Sequence, residues 1–231
     1  MTEETNQTNK TELIEPQLNA IETRVLGVLM EKQQTTPDAY PLTLNSLVIG
    51  CNQKTSREPV TNYTSGDIQH CVRELADKKL IHIDPTGRAD RYSQRLTNAL
   101  SLDKSKQALL NVILLRGAQT VHELLTRTQR MQNFENDQEV EDILDELCHQ
   151  NPPMIQRVAK QIGQRDDRFV HLLSGEPDLT TIASKRSQNN VNVSPQANKH
   201  LEALQTKVAE LEKKVDFLVK ELDLKLPHSD K

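Results

Sequence analysis

The hydrophobic positions in the first half of the chain predict three helices followed by two strands. Apolar residues recur every three or four positions in three stretches, which is the spacing of one helix face. These residues are Leu18, Ile21, Val25, Val28 and Leu29, then Leu44, Leu47 and Val48, then Ile68, Cys71, Val72 and Leu75. Thr43 and Ser65 precede the second and third helices, and Thr43 suits an N-terminal cap. Two short runs at 80–83 and 91–96, joined by turn residues at 84–87, predict a β-hairpin.

The same series of elements follows in the second half. The apolar positions of its first and third helices are Leu109, Leu110, Ile113 and Leu114, then Val140, Ile143, Leu144 and Leu147. Thr120 and Glu123 have the spacing of a capping box, which predicts the start of the helix between them. Residues 154–158 and 168–173 predict two further strands.

A fixed internal period relates the two series. Residues 88–92 read Arg-Ala-Asp-Arg-Tyr and residues 165–169 read Arg-Asp-Asp-Arg-Phe, 77 positions later. Such a period indicates two copies of one module of about 75 residues. Three helices followed by a hairpin are typical of a winged helix-turn-helix, so a mainly α fold of the α+β class is expected. Because each module is close to the lower size limit for independent folding, we expect the two to pack together.

Composition along the chain predicts five segments. Residues 1–16 are polar and aperiodic, as in a disordered tail. Residues 17–100 and 101–174 hold the two winged-helix domains, and residues 175–198, rich in Ser, Asn, Thr and Pro, resemble a flexible linker. Residues 199–226 predict a C-terminal coiled-coil helix.

The C-terminal segment carries a heptad pattern. Its apolar residues alternate at spacings of three and four and are Leu201, Leu204, Val208, Leu211, Val215, Leu218 and Leu222. Valine at two a positions with leucine at every d position favours a parallel homodimer. Docking of this helix on its own chain, or on another protein, is the alternative.

Charge and composition narrow the classes of function. The 231 residues carry a formal net charge of −4, so any contact with nucleic acid must be local. The sequence shows no apolar run of about 20 residues, and its polar start does not suggest a secretory signal. Three cysteines without regular spacing do not indicate a disulfide framework. We therefore expect a soluble, cytoplasmic protein that has no membrane contact.

The first module has the side chains that a winged helix uses on DNA. In this class the third helix enters the major groove, and basic side chains bind the phosphates. Between residues 51 and 95 there are eight Lys or Arg residues and six Asp or Glu residues. The predicted contacts with double-stranded DNA are Lys54, Arg57, Gln69, Arg73, Lys78, Arg88 and Arg91.

The second module lacks this chemistry. Residues 135–149 hold seven carboxylates and neither Lys nor Arg, so this helix is predicted to face solvent or protein. In both modules, a structural role is the alternative to DNA contact for the hairpin arginines. Arg88 and Arg91 with Asp90, and Arg165 and Arg168 with Asp167, would form local ion pairs that stiffen each hairpin.

Neither catalysis nor metal binding is indicated. His70-Cys71 and Cys148-His149 do not follow the spacing of zinc sites, and Cys71 lies on the apolar face of its helix. No glycine-rich phosphate loop or hydrolase motif occurs. We therefore expect a protein that is not an enzyme, without catalytic residues, metal or cofactor.

Several stretches resemble the YceH-like family of bacterial proteins. They lie at 25–32, 35–42, 51–60 and 114–117, and the Cys-Asn-Gln-Lys-Thr-Ser-Arg-Glu-Pro-Val run at 51–60 is the most distinctive. The resemblance implies tandem winged helices and a coiled-coil tail, and it implies no catalytic or ligand residues. The polar loop at 52–60 either caps helices or meets a partner.

Two functions follow from these patterns. The first is a non-enzymatic DNA-binding or transcription-associated regulator that acts through the first domain and dimerises through its C-terminal helix. The alternative is an adaptor of tandem winged helices that binds another protein and makes no direct contact with DNA.

Overall fold

Three helices and a small antiparallel sheet form the first half of the computed structural model, which describes residues 17–85, 87, 89–160 and 164–177. The helices are α1 (Ala20–Thr35), α2 (Leu44–Cys51) and α3 (Ser65–Asp77), and the strands are β1 (Leu42–Thr43), β2 (Ile81–Asp84) and β3 (Arg91–Gln94). A 3-10 turn at Pro37–Ala39 follows α1. Strand β3 lies between β1 and β2 and runs antiparallel to both.

The second half repeats this order after a short helix, α4 (Leu96–Ala99). It contains α5 (Lys104–Arg116), α6 (Val121–Thr128), α7 (Asp137–His149), β4 (Ile155–Val158) and β5 (Arg168–His171). Strands β4 and β5 pair antiparallel, and one β-bridge joins Gln119 to Phe169. The architecture is therefore a mixed α+β fold with small antiparallel sheets.

The internal repeat extends to individual backbone contacts. Leu42 pairs with Tyr92 in the first half, and Gln119 pairs with Phe169 in the second. Gln119 follows Leu42 by 77 positions, and Phe169 follows Tyr92 by the same number. The arginine that begins the returning strand makes the same contact in both halves. Arg91 donates to the Pro41 carbonyl at 2.9 Å, and Arg168 donates to the Ala118 carbonyl at 2.5 Å. The period seen in the sequence therefore corresponds to equivalent positions in the structure.

Side-chain caps set where the helices begin. The predicted caps are confirmed: Thr43 accepts from the Ser46 amide, and Thr120 forms a capping box with Glu123. Helix α3 is capped by Thr64, so Ser65 is its first residue.

The returning strand of the first hairpin is shorter than the prediction of 91–96. It ends at Gln94, and Leu96 instead begins α4. The cause is the Gln94 side chain, whose Oε1 accepts from the Thr97 amide at 2.9 Å and turns the backbone into the helix. In the second hairpin β5 likewise ends at His171, although Leu172 and Leu173 remain buried.

One hydrophobic core runs through both halves. Helix α1 packs along α5, and Val25, Leu26 and Leu29 are completely buried. The helices approach closely at Gly27, where a Cβ atom would lie 2.8 Å from Cδ2 of Leu115. The two halves therefore share their core, as the small size of each module led us to expect.

Several predictions concern residues outside the described ranges. These are the tail at 1–16, the linker beyond residue 177, the hairpin residue Arg88, and the proposed coiled coil with Leu201, Leu204, Val208, Leu211, Val215, Leu218 and Leu222. The homodimer therefore stays a prediction. Among the described helices, none has both the length and the apolar character that a membrane span requires.

The contact between α1 and α2 offers a test of this packing. A Cβ atom on Gly50 would lie 2.6 Å from Cγ1 of the fully buried Val28, whose branched side chain has little freedom to move. We expect Gly50→Ala to lower the free energy of unfolding by about 1–3 kcal/mol, because the core must shift.

Gly66→Ala is the matched control for that measurement. Gly66 is also helical, but its nearest neighbour would be Thr64 Oγ1 at 3.7 Å. Alanine there should be neutral or stabilising by up to about 1 kcal/mol, by helix propensity. Chemical denaturation of the two variants checks both values, and equal changes would contradict a tight contact at Gly50.

Candidate nucleic-acid interface

Helix α3 turns its polar face to solvent. Gln69 and Arg73 are exposed and lie one helical turn apart, opposite the buried face that includes Ile68 and Val72. The helix also carries three carboxylates, which are Asp67, Glu74 and Asp77. The face therefore offers one guanidinium and one amide in acidic surroundings.

The hairpin and the preceding loop add two exposed cations. Arg91, at the start of β3, is exposed, and its guanidinium donates to the Pro41 carbonyl at 2.9 Å. Lys54, in the loop between α2 and α3, is also exposed. Among the described residues, the predicted contacts that are exposed are these two side chains and those of Gln69 and Arg73.

Lys78 is occupied by an ion pair. Its ammonium group lies 2.6 and 2.8 Å from the two carboxylate oxygens of Glu22, whose side chain is fully buried. It also donates to the Gln17 carbonyl at 3.4 Å. Lys78 thus neutralises a buried carboxylate in the first turn of α1, a role that competes with binding to a phosphate.

Arg57 is a correction to the predicted DNA contacts. Its side chain is completely buried, with the guanidinium 2.5 Å from Glu31 and within hydrogen-bond distance of Gln53. Its Nε donates to the Gly50 carbonyl at 3.0 Å. A completely buried side chain cannot reach the phosphate backbone of DNA, so Arg57 has a structural role in this loop.

These two pairings remove the local excess of positive charge. Arg57 and Lys78 pair with carboxylates outside residues 51–95, which are Glu31 and Glu22. Six basic and six acidic residues of that stretch then remain. Any affinity of the first half for DNA must come from the placement of a few side chains and not from net charge.

The polar loop at 52–60 is held by hydrogen bonds that are buried or partly buried. Arg24, itself buried in α1, donates to the Cys51 carbonyl at 3.1 Å and to the Pro59 carbonyl at 2.7 Å. Asn52 exchanges two hydrogen bonds with the Tyr63 backbone, each of 2.8 Å. Asn52 and Arg57 therefore bind backbone groups at the end of α2 and before α3, as the capping interpretation of this loop predicts. Lys54 stays exposed.

The same loop also contacts the second half. The Glu58 amide donates to the Leu115 carbonyl at 2.9 Å, and Arg116 donates to Ser56 Oγ at 2.7 Å. The two stretches at 51–60 and 114–117, which carried the family resemblance, are thus in direct contact. The sequence analysis did not predict that Arg24 and Arg116 hold this loop.

The second hairpin uses its arginine differently. Arg168 is buried and binds both carboxylate oxygens of Glu123, at 2.7 and 3.1 Å. The proposed pairing of Arg168 with Asp167 is wrong, because Asp167 pairs with Arg157 at 3.1 Å. Burial opposes ionisation of Glu123, but the hydrogen bonds from Arg168 and the Thr120 backbone lower its pKa overall.

Helix α7 presents carboxylates where α3 presents polar and basic groups. Arg157 of β4 pairs with Glu141 and lies 3.9 Å from Asp145, and Lys106 of α5 pairs with Glu146 at 2.8 Å. The acidic face of α7 is therefore partly neutralised from within the chain. This arrangement does not suit contact with a polyanion.

The thiols are unsuited to nucleophilic chemistry. Burial raises the pKa of Cys51 and of Cys71 to about 12, so both are protonated at neutral pH. His70 is largely exposed, on a different side of its helix from Cys71. Among the described residues no group of three His, Cys, Asp or Glu side chains is placed to hold a metal ion.

Comparison with known proteins places the chain in a family. Residues 18–164 match the family described as "Protein of unknown function, DUF480". A UPF0502 protein of Cellvibrio japonicus is 52% identical over 209 residues, covering 89% of this chain and 96% of the relative. A UPF0502 protein of Pseudomonas syringae pv. tomato is 42% identical, covering 86% of this chain and 90% of the relative. One of Mesorhizobium japonicum is 39% identical, covering 88% of this chain and 97% of the relative.

The chain therefore belongs to the DUF480 family of bacterial proteins. This membership agrees with the YceH-like resemblance of the sequence. The matched residues include α1 to α7 and β4, and thus both helical sets and the loop at 52–60.

The role of Arg57 can be tested by substitution. Arg57→Leu leaves Glu31 without its guanidinium partner and the Gly50 carbonyl without a donor. We expect the free energy of unfolding to fall by about 2–4 kcal/mol, as for a broken, largely buried ion pair. Lys54→Leu, in the same loop but exposed, should change it by no more than about 0.5 kcal/mol. Urea denaturation measures both, and similar small effects would show that Arg57 does not anchor the loop.

Proposed function

We propose that this is a non-enzymatic protein of two winged-helix modules that contacts double-stranded DNA through the first module. The winged-helix assignment is supported by the order of elements. Each half has three helices, with the residues before the second helix pairing with the returning strand of a two-stranded hairpin. In this class the third helix and the hairpin form the DNA-contacting surface.

The observation that carries the proposal is a comparison of equivalent positions. Helices α3 and α7 are both 13 residues long and begin 72 residues apart. Gln69 and Arg73 of α3 therefore correspond to Glu141 and Asp145 of α7. In the hairpins, the exposed Arg91 corresponds to the buried, paired Arg168.

The four accessible side chains suit two kinds of contact. Arg73 and Gln69 on α3 have the chemistry that reads base edges in the major groove. Lys54 and Arg91 flank the helix in sequence and suit the phosphate backbone. Three cations among neighbouring carboxylates support modest affinity, in the range of non-specific binding, roughly 10⁻⁴ to 10⁻⁶ M.

Salt dependence tests this proposal with the full chain and a random duplex. The two phosphate contacts, Lys54 and Arg91, predict a plot of log affinity against log salt concentration with a slope of about −2. Arg91→Glu should weaken binding and reduce the magnitude of the slope by about 1, whereas Arg73→Glu should weaken binding through the lost contact with the groove.

Arg165→Glu is the matched control for Arg91→Glu. Arg165 is an exposed arginine of the second hairpin, which the proposal places away from DNA. Its reversal should change neither affinity nor slope beyond the small effect of net charge. An equal loss in Arg91→Glu and Arg165→Glu would contradict binding through the first module.

One observation favours the adaptor as a second candidate. Helix α7 keeps exposed carboxylates, such as Asp142, besides those paired with Arg157 and Lys106. A surface of this kind suits a basic protein partner. Absence of DNA binding even at low salt would exclude the first proposal and favour this one.

A further inference from the structure

A cavity of about 310 Å³ lies where the loop at 52–60 meets the second half of the fold. Its wall comes from α1, the loop, the C-terminal half of α5, and the end of α6 with the residues after it. Four arginines line the cavity, and they are Arg57, Arg116, Arg127 and Arg130. Glu31 is the one carboxylate among its lining residues, so the wall carries a surplus of positive charge.

Most of this positive charge has no dedicated carboxylate. Glu31 is occupied by Arg57, at 2.5 Å. Arg116 donates to the neutral hydroxyl of Ser56 at 2.7 Å. Within the described ranges, no hydrogen bond or ion pair of Arg130 is found, and its side chain is exposed.

Arg127 is only weakly neutralised. It donates to the neutral side chain of Gln119, and its nearest carboxylate, Glu123, lies at 3.8 Å. Glu123 binds Arg168 more closely, at 2.7 Å. Among the described residues, three of the four arginines that line the cavity therefore lack a close carboxylate partner of their own. They are Arg116, Arg127 and Arg130.

The guanidinium groups also repel one another. Burial lowers the pKa of Arg116, and the charges of Arg127 and Arg57 lower it further, by more than Glu31 and Glu123 raise it. A bound anion would relieve this repulsion, and it would do so in a partly enclosed space where electrostatic interactions are stronger than in water.

We propose that this cavity binds a small anion that carries a phosphoryl group. Guanidinium groups match phosphate oxygens with paired, parallel hydrogen bonds, which favours phosphate over chloride. The volume lies at the lower end of the range for small-molecule sites and suits a ligand of limited size. The site uses none of the four side chains assigned to DNA, so it does not depend on the proposed function.

Calorimetric titration of the full chain tests the site. Inorganic phosphate and AMP are the probes, because they separate a free phosphate ion from a phosphate ester, and sodium chloride at equal ionic strength is the reference. We expect saturable binding of at least one probe. Arg116→Gln should weaken it tenfold or more, and Arg130→Gln several-fold.

Arg95→Gln is the matched control, because Arg95 is exposed and does not line the cavity. It should leave the dissociation constant unchanged. Arg130→Gln should also leave the unfolding midpoint of the unliganded protein unchanged, which separates lost binding from lost folding.

Two results would overturn the proposal. The first is that neither phosphate nor AMP binds saturably. If the cavity variants then also lose binding to duplex DNA, the cavity is part of a nucleic-acid surface. The second is an equal dissociation constant in the Arg116→Gln, Arg130→Gln and Arg95→Gln proteins.

Discussion

The packing of α1 against α5 is the contact on which the rest of the structure depends. Helix α1 is buried by α2 and α3 on one side and by α5 on another, so it belongs to the core of both halves. Gly27 allows the close approach, and each large apolar side chain buried there contributes about 1.5–3 kcal/mol. Two similar sets of helices and strands therefore share one interior, while their exposed side chains differ.

Buried arginines connect this core to the candidate sites. Arg24 and Arg57 are costly to bury, but carbonyl groups and Glu31 satisfy them, and together they fix the loop that leads into α3. The same loop touches Leu115 and Arg116, so it forms one wall of the arginine-lined cavity. The position of α3 and the shape of the cavity therefore rest on the same few polar contacts.

The helices, caps and hairpins could be predicted from the sequence because they depend on near neighbours, as with Thr43 and Thr120. The burial and the partners of the arginines could not be predicted, because Arg57 pairs with a residue 26 positions away and Arg168 with one 45 positions away. Nothing in a polar loop distinguishes a buried arginine from an exposed one. Arg24 was the exception that could have been found, because it falls in helical phase with Ile21 and Val28 on an apolar face.

Native-state hydrogen exchange of the full chain tests most directly whether the two modules form one cooperative unit. If they share one core, the most protected amides of α1, α3, α5 and α7 should exchange through a single global opening, with the same free energy and denaturant dependence. Exchange of α7 through a separate opening of lower free energy, while α1 and α3 stay protected, would contradict this account.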